Sequence, residues 1–225
     1  MLPLKDDLPT QTFPYVTIGL IIANILVFMH EISLGPRAEM VFLTFGAIPY
    51  ELMHGIEISE RPFPITASVL TSMFIHGGFF HVGGNMLYLW IFGNNIEDVM
   101  GHFRFILFYL ICGIIAVYSH AFLDAASKVP MVGASGAVSG VLGAYILLFP
   151  RAKVLTLVPL GFFLQIIKIP AVIVLGFWIV AQFFNGFLGV QSGVAWFAHI
   201  GGFIAGMVLI FFFRKPQPGW RRPLR

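Results

Sequence analysis

The sequence predicts an all-α polytopic membrane protein with six transmembrane helices and a long first extracytoplasmic loop. Three observations carry that prediction. Charged residues make up 10% of the chain and hydrophobic residues 58%, whereas a soluble domain carries about 25% charged residues. Mean hydropathy is +0.91, too high for a surface that must face water. The apolar residues are also gathered into stretches close to the roughly 20 residues that a spanning helix needs. The 25 Phe suit lipid-facing surface, and the 24 Gly let membrane helices approach closely.

Taken in order, the first span runs from about Pro14 to His30, followed by a polar-mixed segment from Glu31 to about Ile75. The second covers roughly His81 to Asn94 and the third Phe103 to Leu123. The fourth begins at Ser135 and stops at Phe149, before Pro150 and Arg151. An apolar stretch broken by proline, Val154 to Lys168, precedes a fifth span at about Ile169 to Phe184. The sixth, Trp196 to Phe213, is closed by Arg214 and Lys215. The chain reads as one domain over 1–225, with short tails at about 1–13 and 214–225, and its polar start carries no cleavable signal peptide.

Six spans put both termini on one side, and basic residues choose the side. Lys5, Arg104, Arg151, Lys153, Lys168, Arg214, Lys215, Arg221, Arg222 and Arg225 share it, ten of the thirteen Lys and Arg. Both termini are therefore expected in the cytoplasm. The net charge of +3 comes largely from the GWRRPLR tail. That tail reads as an anchor near anionic lipid, and nothing further suggests nucleic-acid binding. The lone Cys112 excludes an intrachain disulfide and a cysteine metal cluster.

Polar groups at membrane depth are costly and often functional. Three clusters stand out: HGGFFHVGGN, containing His76, His81 and Asn85; GASG, Gly133 to Gly136; and AHIGGFIAG, Ala198 to Gly206. Ser135 lies sixteen positions before Arg151 (151 − 135), His199 fifteen before Arg214 (214 − 199) and His81 sixteen before Glu97 (97 − 81). At 1.5 Å per residue each sits about 22–24 Å above the cytoplasmic edge. In a core of about 30 Å, all three fall several ångströms below the outer surface, on spans that run in one direction. The fourth helix starts at depth, so Asp124 to Ala134 must descend to it. The expected result is a hydrated cavity open to the outside with Ser135 at its base.

A serine hydroxyl needs a base, and a histidine of near-neutral pKa is the usual one. Ser135 and His199 stand at matching depth. Ser135 opens a helix whose unpaired N–H groups suit an oxyanion. His81 and Asn85, four apart on one face, donate into the same cavity. Gly136 with Gly140, and Gly202 with Gly206, are small-xxx-small pairs that let the fourth and sixth helices close on each other. No acidic residue sits near His199, so the site reads as a dyad. Taken singly, a Ser in GASG is more often a packing residue. His76 reads as interfacial or auxiliary, Ser139 and Tyr145 as interhelical hydrogen-bond partners, and Glu97 with Asp98 as a solvated cytoplasmic turn. His30, His54, His102 and His120 receive no role.

On His81-Val-Gly-Gly-Asn85, Gly133-Ala-Ser135-Gly136 and Ala198-His199-Ile-Gly-Gly202 with Gly206, the chain resembles the rhomboid intramembrane serine proteases over nearly its whole length. PRAKVLTLVPLGFF and IPAVIVLGFWIVAQFF look like that family's fourth loop and fifth helix. The resemblance implies a serine endopeptidase that cleaves single-span membrane proteins in or near the bilayer through an acyl-enzyme. Ser135 is then the nucleophile and His199 the base. The Ser135 N–H, with the side chains of His81 and Asn85, holds the oxyanion. Gly133, Gly136, Gly202 and Gly206 shape the site. The fifth helix and a loop at about 186 to 195 form the substrate gate, and the family prefers small residues at the cleavage site.

Two departures from better-known bacterial members are visible. Ser139 stands where some carry an aromatic that stacks on the base, so ring stacking is expected to be lost. No Trp-Arg pair occurs between Glu31 and Ile75 to support the first loop. No metal or cofactor is implied; HExxH is absent and no carboxylate or Cys joins His76, His81 and His199. The expected partners are transmembrane protein substrates and membrane lipids. The expected location is a prokaryotic inner membrane, with the active site open to the extracytoplasmic side. The competing readings are a client-binding protein on the same fold, a metal-dependent enzyme or transporter, and a plain channel. The last has no mid-span charge to mark a pathway.

Overall fold

A computed structural model describes residues 1–160, 163–188 and 193–215. The basic tail beyond Lys215 and residues 189–192 of the expected gate loop lie outside the described residues. Strand β1, Leu2–Asp6, leads to α1, Tyr15–Ser33. The first loop folds into α2, Ala38–Phe45, α3, Pro49–His54, and α4, Ser68–Thr71. Helix α5, Phe79–Tyr88, passes through one π turn, Leu89–Gly93, into α6, Asn94–Met100. Then come α7, His102–Leu123, and α8, Ser135–Leu148. A hairpin follows, β2 (Lys153–Leu160) and β3 (Phe163–Pro170), and the chain ends with α9, Ala171–Phe187, and α10, Trp196–Phe213.

Helices α1, α7 and α10 are long and apolar enough to cross a membrane. A fourth candidate is the pair Ile65–Phe74 and Phe79–Met100, bent by 82°. Helices α8 and α9 are apolar but shorter, at 14 and 17 residues. The molecule is thus a mostly helical integral membrane protein with, among the described residues, three candidate spans by length, or four with the bent pair.

The all-α expectation needs one correction. The stretch from Val154 to Lys168, read as a prelude to a helix, is a β-hairpin, and β1 pairs antiparallel with the free edge of β2 to make a three-stranded sheet. Its residues are rich in Val, Leu and Ile, and burial along β2 alternates through Val154, Thr156 and Val158. That is the period of two that a strand requires. The sheet is tied beneath the helices by Asp6, whose Oδ2 accepts from Tyr145 Oη at 2.7 Å and Asn95 Nδ2 at 2.6 Å. Burial pushes the Asp6 carboxyl above its ordinary range, against the lowering effect of the Tyr145 bond.

Glu97 and Asp98 are also corrected: they are not a solvated turn. Glu97 is fully buried. Its carboxylate accepts from Val16 N at 2.9 Å, Thr17 N at 2.8 Å and Thr17 Oγ1 at 2.7 Å, with His102 Nδ1 at 2.5 Å. Asp98 accepts from Gln11 N and from the backbone and hydroxyl of Thr12. The cause lies in α1, which begins after Pro14 with no side-chain cap. Its first N–H groups need acceptors, and a carboxylate there also meets the positive end of the helix dipole.

In the first loop, Glu51 and Arg61 supply what a Trp-Arg pair does not. The Arg61 guanidinium lies against the Glu51 carboxylate, and both side chains are shielded from solvent. Glu51 Oε1 also accepts from Ile58 N, Ser59 N and Ser59 Oγ. Arg61 reaches the carbonyls of Leu43 and Gly46. Burial pushes the Glu51 carboxyl up, but these hydrogen bonds and the Arg61 charge outweigh it and hold the group below the usual carboxylate range. The loop is joined to the segment that descends to α8 by reciprocal Ala47–Met131 backbone bonds at 3.0 and 2.8 Å.

Helix α8 stands at the centre, with every residue from Gly136 to Tyr145 buried. Against α10 its contact is backbone to backbone. A Cβ on Gly202 would lie 2.1 Å from Gly136 O, and one on Gly206 1.9 Å from Gly140 O. Against α7, a Cβ on Gly136 would lie 2.6 Å from that of Ala116. Only glycine permits this approach.

Candidate active site

The chain enters α8 through a fixed corner. Gly133 adopts φ +120°, and its N–H donates to Ser72 O at 2.8 Å. A Cβ there would lie 2.5 Å from His81 Nε2, so glycine is required both for the dihedral and for the close passage. Ala134 N–H donates to His76 Nε2 at 3.5 Å. His76 is buried behind the corner, with Nδ1 3.3 Å from Phe74 O and its backbone N–H against the Glu31 carboxylate.

Ser135, first residue of α8, meets His199 in the first turn of α10. His199 Nε2 and Ser135 Oγ are 2.8 Å apart. The seam of Gly136, Gly140, Gly202 and Gly206 holds the two helices at that spacing. On its other side, His199 Nδ1 lies 2.7 Å from Gln182 Oε1 of α9. Gln182 escaped sequence reasoning, although one amide in the apolar run WIVAQFF was a usable signal.

Aromatic contact with His199 comes from α9 and α10 rather than from position 139. The Trp178 ring of α9 lies against the imidazole, centroids 5.8 Å apart and planes 35° apart, and Trp196 meets it edge-on at 6.3 Å. Ser139 does not reach His199; its hydroxyl donates to Ser135 O at 2.6 Å, within its own helix.

A cavity of about 540 Å³ opens over the pair, lined among others by His81, Asn85, Ser135, Ser139, Trp178 and His199. Gly77 N–H donates to His81 Nδ1 at 3.3 Å. A neutral His81 then carries its proton on Nε2, the nitrogen nearest the Gly133 corner. Asn85 is buried, and its Nδ2 has no hydrogen-bond partner. A buried donor without a partner is uncommon and needs a reason; its place in the lining of the cavity that also holds Ser135 gives one if negative charge develops there. Among the described residues, no group of three or more His, Cys, Asp or Glu is arranged to hold a metal ion. The arrangement can activate a hydroxyl and stabilise an anion, the two requirements of acyl transfer.

A family model described as the Rhomboid domain matches residues 66–216. The rhomboid protease GluP of Bacillus subtilis is 32% identical over 211 residues, covering 92% of this chain and 36% of that protein. RHOMBOID-like protein 1 of Arabidopsis thaliana is 28% identical over 230 residues, covering 92% and 56%. Rhomboid protein 1, mitochondrial, of Saccharomyces cerevisiae is 37% identical over 95 residues, covering 40% and 28%. The chain spans about half or less of the length of these relatives.

Proposed function

The chain belongs to the rhomboid family, and on that premise we propose that it is an intramembrane serine endopeptidase using Ser135 and His199. The single observation that carries the reading is the 2.8 Å contact between Ser135 Oγ and His199 Nε2. The Ser135 oxygen attacks the scissile carbonyl carbon while its proton passes to His199 Nε2. The tetrahedral oxyanion accepts hydrogen bonds from the Ser135 N–H, His81 Nε2–H and Asn85 Nδ2–H. The intermediate collapses, the C–N bond breaks, and the amine leaves with the proton from His199. Water then attacks the acyl-enzyme, giving its proton to His199, and release of the carboxylic product returns the proton to Ser135. The chain's own side chains complete this cycle, with no cofactor.

The substrates are single-span membrane proteins, small at the cleavage site and locally unwound, because a regular helix hides its peptide bonds. In this reading α1, the bent pair, α7, α8, α9 and α10 make six spans, and residues 1–225 form one domain. Helix α9, at 17 residues, is at the lower end of the length that spans a bilayer, and α8, at 14, is below it. A nucleophile helix that starts below the outer surface is expected to be short. The basic residues support cytoplasmic termini and a site open to the extracytoplasmic side, and the proposed location is a prokaryotic inner membrane. Helix α9 and the segment at about 186 to 195 serve as the gate.

The test is a cleavage assay in proteoliposomes with a single-span reporter carrying small residues near a helix break. Wild type should cut it, and Ser135→Ala should not. A folded wild type that retains the reporter uncut would overturn the reading in favour of a client-binding protein.

A further inference from the structure

We infer that Gln182 is a positioning residue for the base: its amide oxygen holds His199 in the tautomer that leaves Nε2 free to accept the Ser135 proton. The inference rests on the protease reading and extends it to a residue on a different helix. It follows from counting donors and acceptors. Trp178 O is a carbonyl and can only accept, so the Gln182 atom 3.1 Å from it is the amide nitrogen. The other end of the amide, 2.7 Å from His199 Nδ1, is then oxygen, which also only accepts. His199 must therefore carry its proton on Nδ1. Nε2 is left as a lone pair, and it is the nitrogen that faces Ser135 Oγ at 2.8 Å. Three contacts in series give one tautomer.

Burial makes the arrangement purposeful. Gln182 is buried, while Phe177, Val180, Phe183 and Phe184 around it on α9 are exposed at the apolar surface. A buried amide is costly unless both its ends are satisfied. Here one end is satisfied by its own helix and the other by the base. Trp178, four residues earlier on the same face, sets its ring against the same imidazole. Helix α9 thus supplies both a ring contact and the partner that sets the protonation site of His199, while α8 supplies the nucleophile. An amide orients the ring without placing a second charge in a poorly solvated site, where a carboxylate would have to be desolvated. The titratable groups acting on His199 electrostatically are His81 and His120. Helices α8 and α9 contribute no charged side chain.

The experiment uses full-length protein in proteoliposomes with the single-span reporter, comparing wild type with Gln182→Met and Gln182→Glu. Methionine keeps the length and removes the acceptor; glutamate keeps an acceptor and adds charge. For Gln182→Met, kcat should fall about 10–100-fold, as for other groups that orient a functional histidine. KM should stay within about twofold, because uniform substrate binding is untouched. Gln182→Glu should recover most of kcat and move the acid limb of the kcat/KM profile to higher pH, since a carboxylate favours the imidazolium. Imidazole nitrogen NMR, with His199 assigned by difference to His199→Ala, should show the Nδ1–H form in wild type and a mixture in Gln182→Met. An unchanged kcat and tautomer in Gln182→Met, or an unmoved acid limb in Gln182→Glu, would overturn the inference. A wild type that shows the Nδ1–H tautomer but never cuts the reporter would instead contradict the protease reading and leave the positioning intact.

Discussion

Helix α8 is buried at every position from Gly136 to Tyr145, whereas α9 buries only Ala171, Val174, Leu175 and Gln182. The two carry opposite sides of one site. Ser135, the proposed nucleophile, sits on the helix that cannot shift without opening backbone contacts at Gly136, Gly140, Gly202 and Gly206. Gln182, the partner of His199, sits on a helix that buries few side chains, and segments with few buried contacts are the ones that open most readily. The lesson is a division of labour: α8 and α10 keep the Ser–His distance, and α9 adds the Gln182 and Trp178 contacts to His199. Moving α9 outward would widen the cavity and withdraw Gln182 and Trp178 from His199 together.

The comparison can be broken most severely at the seam. Gly206→Leu should cost about 4 kcal/mol or more, because its Cβ alone would overlap Gly140 O and overpacking at backbone cannot relax. A thermal melt in detergent checks this; an unchanged midpoint would mean the seam is looser than described. Next comes Asn85→Ala, which should lower kcat about 100-fold, equivalent to about 2.7 kcal/mol. Its melting point should stay near wild type, since Asn85 Nδ2 has no hydrogen-bond partner to lose in the resting protein.

Arg61→Met should loosen the first loop by about 2 kcal/mol, by leaving the buried Glu51 carboxylate short of a charged donor. Hydrogen exchange over α2 and α3 reads the change. The same contact gives a pH dependence in wild type. The Glu51 carboxyl is held below its ordinary value in the folded state. Its contribution is therefore present above that ordinary value and lost as pH falls through the lower, folded one. Exchange over the loop should rise at acid pH in wild type, and less in Arg61→Met. The smallest effect belongs to α9: Val180→Ala and Phe177→Ala, on its exposed face, should each change stability by no more than about 0.5 kcal/mol. A large loss at either would mean that α9 is packed as firmly as α8.

The parts of this account that the sequence carried openly share one property: each is a polar or small residue set in an apolar background. Ser135, His199, His81 and Asn85 stand out for that reason, as do the glycine pairs. What stayed hidden depended on partners far away in the chain. Glu97 beside a span end looks the same whether it faces water or caps α1 from 80 residues away. The hairpin of β2 and β3 shares its apolarity with the helices around it, and its period of two is short enough to be missed. The ring beside His199 does not come from α8, where Ser139 stands, but from Trp178 on α9, and nothing local in the sequence marks that pairing. Gln182 carried a visible signal, a lone amide, but its meaning required knowing that it faces His199 Nδ1.

The central claim is that Ser135 is activated by His199, and a serine-reactive fluorophosphonate tests it most directly. Purified wild type, Ser135→Ala and His199→Ala are incubated with the probe and the covalent label is quantified. The account predicts labelling of the wild type alone, at Ser135. Equal labelling of all three, or none in a folded wild type, would contradict it.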